Sequence, residues 1–349
     1  MKSAEKLLDE LWTTGKDFLG VRHAILGGAM TWVSERNLVS AISNAGGFGI
    51  IASGAMSPEL LRTEIQKTQA LTSYPFGVNL ITLHPNLLEL IDACAQENVT
   101  HVVLAGGLPP AQAIAKLKEN DIKVICFSPA LVLAKKLIKL GVDALIIEGM
   151  EAGGHIGPVS TSVLVQEILP HIKEVPVFVA GGIGRGEAII SYLEMGAAGC
   201  QLGTRFVCTT ESIAHPRLKK AFIRAQARDA IISPQLDVRF PVIPVRSLLN
   251  KATKEFINYQ KELIGKVDRQ EMDLKEAQLN IEHFWAGSLR RAIIEGDIEN
   301  GSIMAGQSVG LVSKEQSTQE VIEELLTQAK QALFSRFFIE QSDDKRLSL

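Results

Sequence analysis

Val177-Phe178-Val179-Ala180-Gly181-Gly182-Ile183-Gly184-Arg185-Gly186 and, one short segment later, Gly199-Cys200-Gln201-Leu202-Gly203-Thr204-Arg205 decide the fold. Each is a brief, nearly continuous apolar run that breaks into glycine. A run without alternation suits a parallel strand covered on both faces. Between them, residues 187–195 space their apolar positions as a helix does, and Gly196 closes the stretch. This is one strand–loop–helix–strand unit, and the same unit recurs back along the chain.

Strands are expected at residues 24–27, 49–53, 77–81, 101–105, 123–127, 144–148, 177–180 and 199–202. Helical patterns fall between them, at 58–71, 87–97, 110–120, 130–140 and 187–195, the first opened by Ser57-Pro58. Eight strands in regular alternation with helices predict an α/β fold, a (β/α)8 TIM barrel, over residues 1–210. A doubly wound open sheet competes, but it wants a dinucleotide fingerprint after its first strand. The nearest match, Gly47-Phe48-Gly49-Ile50-Ile51-Ala52, runs into a strand instead of following one.

After Phe206 the alternation stops. Residues 211–300 read as a mainly helical C-terminal insertion or cap on the substrate side, interrupted by Pro234, Pro241 and Pro244. Segments 247–266 and 274–295 carry charge on one face and apolar residues on the other. The chain returns through Gly301-Ser302-Ile303-Met304-Ala305-Gly306-Gln307, and a helix at 318–334 within the 301–340 segment is expected to pack on the barrel. Residues 341–349 form a polar tail.

The 349 residues are 46% hydrophobic with a formal net charge of −3. That is apolar material for a large core, and the charge argues against nucleic acid as a partner. The N-terminal stretch Met1-Lys2-Ser3-Ala4-Glu5-Lys6 lacks the apolar region of a secretory signal, and no uncharged run reaches a membrane span. Cys94, Cys126, Cys200 and Cys208 form no CxxC pair and lie in apolar segments, so free buried thiols and a cytoplasmic location are expected. No zinc, EF-hand, HExxH or GxSxG pattern occurs, and no metal site is expected.

In such a barrel, ligands meet the C-terminal strand ends, and phosphate commonly sits at the loops after the last two strands. Gly181, Gly182, Gly203 and Thr204 occupy those loops, where backbone N–H groups can approach an anion closely. Small residues Gly28, Ala29 and Met30 follow the first strand, where a flat ring could lie against backbone. Asn79 ends the third, a carboxamide able to pair with the donor–acceptor edge of a flavin or a base. Strand six ends in Glu148-Gly149-Met150-Glu151-Ala152-Gly153-Gly154-His155-Ile156-Gly157, a carboxylate and then glycines presenting one histidine. Near-neutral imidazole moves protons, and this position makes His155 the candidate acid or base. His215, soon after strand eight, is a second histidine that could line the mouth. A phosphate-binding isomerase or aldolase without flavin is the rival enzyme class, though no strand-end lysine is evident, since Lys123 opens its strand.

At Glu151-Ala152-Gly153-Gly154-His155-Ile156-Gly157, Ala180-Gly181-Gly182-Ile183 and Gln201-Leu202-Gly203-Thr204-Arg205-Phe206, together with Asn79, the chain resembles the nitronate monooxygenase (2-nitropropane dioxygenase) family. That family includes the FMN-dependent enoyl-ACP reductases of the second type. The resemblance runs from Ile25-Leu26-Gly27-Gly28-Ala29-Met30 to Met304-Ala305-Gly306-Gln307. It implies non-covalent FMN, with Gly28, Ala29 and Met30 near the ring, Asn79 and Glu148 near its polar edges or ribityl chain, Gly181, Gly182, Gly203 and Thr204 on the phosphate, and Gly153 and Gln201 also among the cofactor-binding residues. Met304, Gly306 and Gln307 would close over the flavin, and His155 would be the catalytic acid or base. It further implies a small-molecule substrate: a nitronate oxidised with oxygen, an enoyl thioester reduced by way of NAD(P)H, or a quinone. Glu148, where many nitronate enzymes have Gln, and the 301–307 segment resemble the reductases. Gly-Gly-Ala-Met at the first strand departs from the Gln-Gly-Gly-Met pattern. The insertion would either cap the site or form a homodimer surface.

Overall fold

The computed structural model describes residues 2–240 and 244–337. Its first six strands are β1 (Ile25–Gly27), β2 (Gly49–Ala52), β3 (Phe76–Ile81), β4 (His101–Ala105), β5 (Lys123–Phe127) and β6 (Ala144–Glu148). A two-residue strand, β7 (Gly154–His155), belongs to another sheet, and β8 (Val177–Ala180) and β9 (Gly199–Leu202) complete the first. All eight pair in parallel in the order β1-β9-β8-β6-β5-β4-β3-β2. A parallel bridge from Leu26 to Phe48 brings β1 back to β2 and closes a TIM barrel. Each of these eight strands lies within one residue of the bounds read from the sequence.

Two apolar layers hold this together. Leu26, Phe48, Ile50, Val103, Ile125, Ile146 and Phe178 fill the interior. A second layer, between the strands and the outer helices, contains Val78, Val102, Leu145, Val179 and Cys200. Helices Pro58–Gln69, Leu87–Gln96, Ala111–Glu119, Leu131–Lys139 and Gly186–Glu194 lie where the apolar spacing places them. The helix Thr13–Leu19 plugs the barrel's N-terminal end, adding Phe18 and Leu19 to the interior cluster. Gly15 permits that approach, because a Cβ there would lie 2.0 Å from the Ala198 carbonyl oxygen. The four cysteines are buried and free. No helix among the described residues is long and apolar enough to cross a membrane.

The segment after β9 is mainly helical, with a sheet the sequence reading did not anticipate. Helix Pro216–Arg224 leads to β10 (Ala230–Ile232) and β11 (Val245–Leu248), then to helices Lys251–Asp268 and Leu274–Arg290. The two long helices pack through Phe256, Leu263, Ala277, Ile281 and Trp285. Residues 247–266 were expected to be one helix, but Val245–Leu248 is a strand. The helix begins after Asn250, whose side chain accepts the Thr253 N–H at 3.0 Å. The stretch expected at 274–295 is α-helical to Arg290 and ends in a π turn, Arg291–Glu295. The C-terminal helix Thr318–Phe337 packs on Gly186–Glu194, so closely that a Cβ on Gly186 would meet the Leu325 carbonyl oxygen at 2.1 Å. Pro241 and the 341–349 tail lie outside the described residues.

Candidate active site

Side chains along a barrel strand alternate between axis and exterior, and register partners on neighbouring strands share a direction. Leu26, Val103, Ile146 and Ala180 face the axis. Leu26 pairs with Gln201, Gln201 with Ala180, and Ala180 with Glu148, while Val103 pairs with Asn79. Gln201, Glu148 and Asn79 therefore point inward at the C-terminal mouth. Gly28, two residues past Leu26, joins them; a Cβ there would lie 3.5 Å from the Gln201 side chain. Three polar side chains aimed at one apolar axis are poor core and good site.

Asn79 and Gln201 are buried, and the Asn79 amide donates to the Val103 carbonyl at 3.1 Å. Glu148 opens partly onto the mouth, yet the surrounding protein is dense enough that burial pushes its carboxyl up to about 8. At neutral pH it keeps its proton and can donate a hydrogen bond. Gly181 and Gly182 follow β8 with φ of +99° and +72°. A Cβ on the first would meet the Gly149 carbonyl oxygen at 2.9 Å, and on the second the Glu151 Cβ at 2.9 Å, so only glycine fits. Among the described residues neither glycine's N–H has an acceptor.

The loop after β1 is drawn tight by Ser34, whose hydroxyl accepts the Met30 N–H and donates to the Gly28 carbonyl, both at 2.9 Å. Met30 thereby comes beside Gly203, where a Cβ would stand 3.5 Å from its sulfur. Trp32 in the same loop has φ +68°, a strained setting for a bulky residue, and its buried indole N–H has no acceptor among the described residues. Nothing in the sequence signals a left-handed tryptophan.

His155 was expected on a glycine-rich loop. Instead Gly154 and His155 form an edge strand, β7, paired antiparallel with β11: Val245 opposite His155 and Arg246 opposite Gly154. The Ile156 N–H extends the ladder to the Pro244 carbonyl at 2.9 Å, and β10 flanks β11 on its other side. Arg246 is 3% exposed. Its guanidinium donates to the carbonyls of Met150, at 2.9 Å, and Ala230. It binds the strand-six loop to the small sheet, a role sequence reading missed. His155 itself is exposed.

The return segment meets the same place. Met304 bridges to Ser247, and its sulfur would lie 3.4 Å from a Cβ on Gly154. Gly153 and Gly306 touch backbone to backbone, since a Cβ on Gly153 would lie 2.5 Å from the Gly306 nitrogen. Gly306 N–H donates to the Thr204 hydroxyl at 3.0 Å, and Gln307 N–H to the Glu151 carbonyl at 2.9 Å. Glu151 spends its carboxylate on Thr161, accepting from its N–H and hydroxyl at 2.9 and 2.8 Å. The expected site residues thus fall into two touching groups: Gly28, Ala29, Met30, Asn79, Glu148, Gly181, Gly182, Gln201 and Gly203 at the mouth, and Gly153, His155, Thr204, Met304, Gly306 and Gln307 along its rim. His215 does not join them. It caps its own helix, accepting the Arg217 N–H at 3.1 Å, and packs on Gly296.

A family model described as nitronate monooxygenase matches residues 13–99 and 88–328. The (3aS,4S,5R,7aS)-5-hydroxy-7a-methyl-1-oxo-octahydro-1H-indene-4-carboxyl-CoA dehydrogenase of Rhodococcus jostii is 36% identical over 230 residues, 66% of this chain. That match spans 65% of the relative, just under two thirds of its length. Its namesake from Mycobacterium tuberculosis is 29% identical over 340 residues, covering 90% of this chain and 94% of that protein. The solved structure of FabK from Thermotoga maritima superposes with a TM-score of 0.81 at 37% identity, covering 92% of this chain and 96% of that one. The chain belongs to the nitronate monooxygenase family and is an enzyme of the oxidoreductase type, in a family whose members depend on flavin.

Proposed function

We propose that this enzyme binds FMN non-covalently in the barrel mouth and, with NAD(P)H as co-substrate, reduces the α,β double bond of an acyl thioester, His155 delivering the proton. The residues present fit the cofactor. The paired left-handed glycines Gly181 and Gly182, whose N–H groups are unengaged among the described residues, and the neighbouring Gly203–Thr204 turn would hold its phosphate. Gly28, Ala29 and Met30 would lie under the ring. Asn79, Gln201 and the protonated Glu148 would meet its polar edges or ribityl chain, while Gly153, Met304, Gly306 and Gln307 would cover it. Held there, the flavin would supply hydride transfer from NAD(P)H to the substrate's β-carbon.

The rest falls to the chain. A thioester held against the mouth needs one proton at its α-carbon as the β-carbon receives hydride, which balances the reduction. His155 at the rim supplies it, and its exposure lets solvent restore the proton. Such transfer is typically worth ~10²–10⁴ in rate. The observation that carries this reading is the exposed histidine fixed by a β-ladder at the edge of a mouth lined with inward polar groups. The choice of a thioester draws on the similarity to FabK, one of the second-type enoyl-ACP reductases, and to CoA-thioester dehydrogenases. Glu148 points the same way.

Nitronate oxidation is the second reading, favoured by the family description; there His155 would take a proton from a neutral nitroalkane. Quinone reduction by NAD(P)H is a third outcome of the same assay. Anaerobic absorbance of the yellow holoprotein separates them. Bleaching by NADH or NADPH with recovery on adding a crotonyl thioester is expected. Bleaching by propyl nitronate alone, or recovery only with a quinone, would replace the thioester. A colourless protein that also fails to take up FMN would end the flavin reading.

A further inference from the structure

At the end of β11 remote from His155, a groove of about 440 Å³ is floored by Ala225, Ile231, Leu248 and Leu249 and edged by Arg224 and Arg228. Small-molecule sites commonly occupy roughly 300–1,000 Å³. Leu249 is 56% exposed, an apolar surface with nothing over it among the described residues. Both arginines are exposed, and neither has an acidic partner among the described residues. The one acid lining the groove, Asp229, accepts the Gln226 N–H at 2.8 Å. Helix Pro216–Arg224, Pro-Arg-Leu-Lys-Lys-Ala-Phe-Ile-Arg, contains no acid, and Arg217, Lys220 and Arg224 share one face at helical spacing. An apolar floor bordered by unpaired guanidiniums suits a flat heterocycle bearing phosphates, because the guanidinium fork matches phosphate oxygens two at a time.

We propose that this groove binds the phosphorylated adenosine end of a coenzyme, either the CoA portion of a thioester substrate or the 2′-phosphoadenosine of NADPH. The base would rest on Ile231, Leu248 and Leu249, and the phosphates on Arg224 and Arg228. Position supports this. Leu248 lies three residues, about 10 Å, along β11 from Val245, the partner of His155. An extended pantetheine arm bridges that span. The link to turnover rests on the thioester reading above, whereas the binding itself is measurable without turnover.

The test uses the holoenzyme and the double variant Arg224→Ala/Arg228→Ala, two exposed positions whose loss leaves the fold intact. Calorimetry with adenosine 3′,5′-bisphosphate and with adenosine 2′,5′-bisphosphate should show that the wild type binds at least one and that the variant binds it tenfold or more weakly. A tenfold rise in KM for a CoA thioester, with the N-acetylcysteamine thioester unaffected, identifies the substrate as the source. A rise in KM for NADPH with NADH unaffected identifies the reductant. If the wild type binds neither bisphosphate, or the variant binds as well as the wild type, the groove is not a nucleotide site. Nucleotide binding in a protein that reduces no thioester would uphold the groove and refute the thioester reading.

Discussion

At the N-terminal end of the barrel, the buried His101 meets the Phe18 carbonyl through one ring nitrogen at 3.0 Å and the Thr100 hydroxyl through the other at 2.8 Å, with Phe18 and Phe48 edge-on to its ring. Lys123 donates to the same Phe18 carbonyl at 2.6 Å. At the other end, Glu148 faces the axis with no hydrogen-bond partner among the described residues, and Gly181 and Gly182 hold N–H groups without acceptors. The same strands supply both ends. At the first end His101 and Lys123 find their partners within the fold; at the other, the inward carboxyl and the loop N–H groups are left for something outside it, which gives up stability.

The largest expected effect tests whether the mouth is the working end. His155→Ala should lower turnover by ~10²–10⁴ with the thermal midpoint unchanged, in steady-state and thermal-melt assays; wild-type rates would show the rim histidine to be idle. Next comes the titration of Glu148 in the flavin-free protein. Its folded carboxyl sits near 8 against 4.5 unfolded, so the native state binds the extra proton between those values, and stability falls as pH rises through them. The loss should reach on the order of 4–5 kcal/mol by pH 9, and Glu148→Gln should flatten it in urea melts. A variant with the wild-type slope would place the cause elsewhere.

The floor should show the opposite sign. Burial lowers His101 to about 4, and His23 likewise, so the unfolded chain binds more protons below 6.5 and stability drops on acidification toward 4. His101→Asn should shrink that drop by on the order of 3 kcal/mol in denaturant melts across the window. An unchanged slope would show that imidazole burial is not what sets it. Last, Arg246→Met strips two carbonyls of their donor, worth ~1–3 kcal/mol. It should lower kcat more than KM by loosening the His155 strand; a stability loss with kcat intact would make Arg246 purely structural.

The barrel was legible because its strands are buried on both faces and therefore written as uninterrupted apolar runs. The mouth was legible in part, since Gly28, Asn79, Glu148, Gly181 and Gln201 sit at strand ends that topology brings together. The small sheet was not. β10 is three residues long, and β11 carries the buried polar pair Arg246 and Ser247, which hides its pattern; a helical period downstream absorbed its last two residues. The same omission made Gly154–His155 read as a loop, because an edge strand of two residues has no signature apart from its partner. Trp32 was invisible for a different reason: a left-handed φ runs against tryptophan's own propensity, and the loop around it is closed by the Ser34 hydrogen bonds to Met30 and Gly28, contacts with no signature in the sequence.

Because β11 lies between β7 and β10 while Met304 abuts it from the return segment, the histidine takes its orientation from residues contributed by three separate stretches of chain. Grafting the insertion of a relative onto this barrel would therefore replace the bed on which the imidazole lies. Insertion, histidine loop and return segment form one exchangeable cassette, and chimeras that split it should lose turnover even where each half folds.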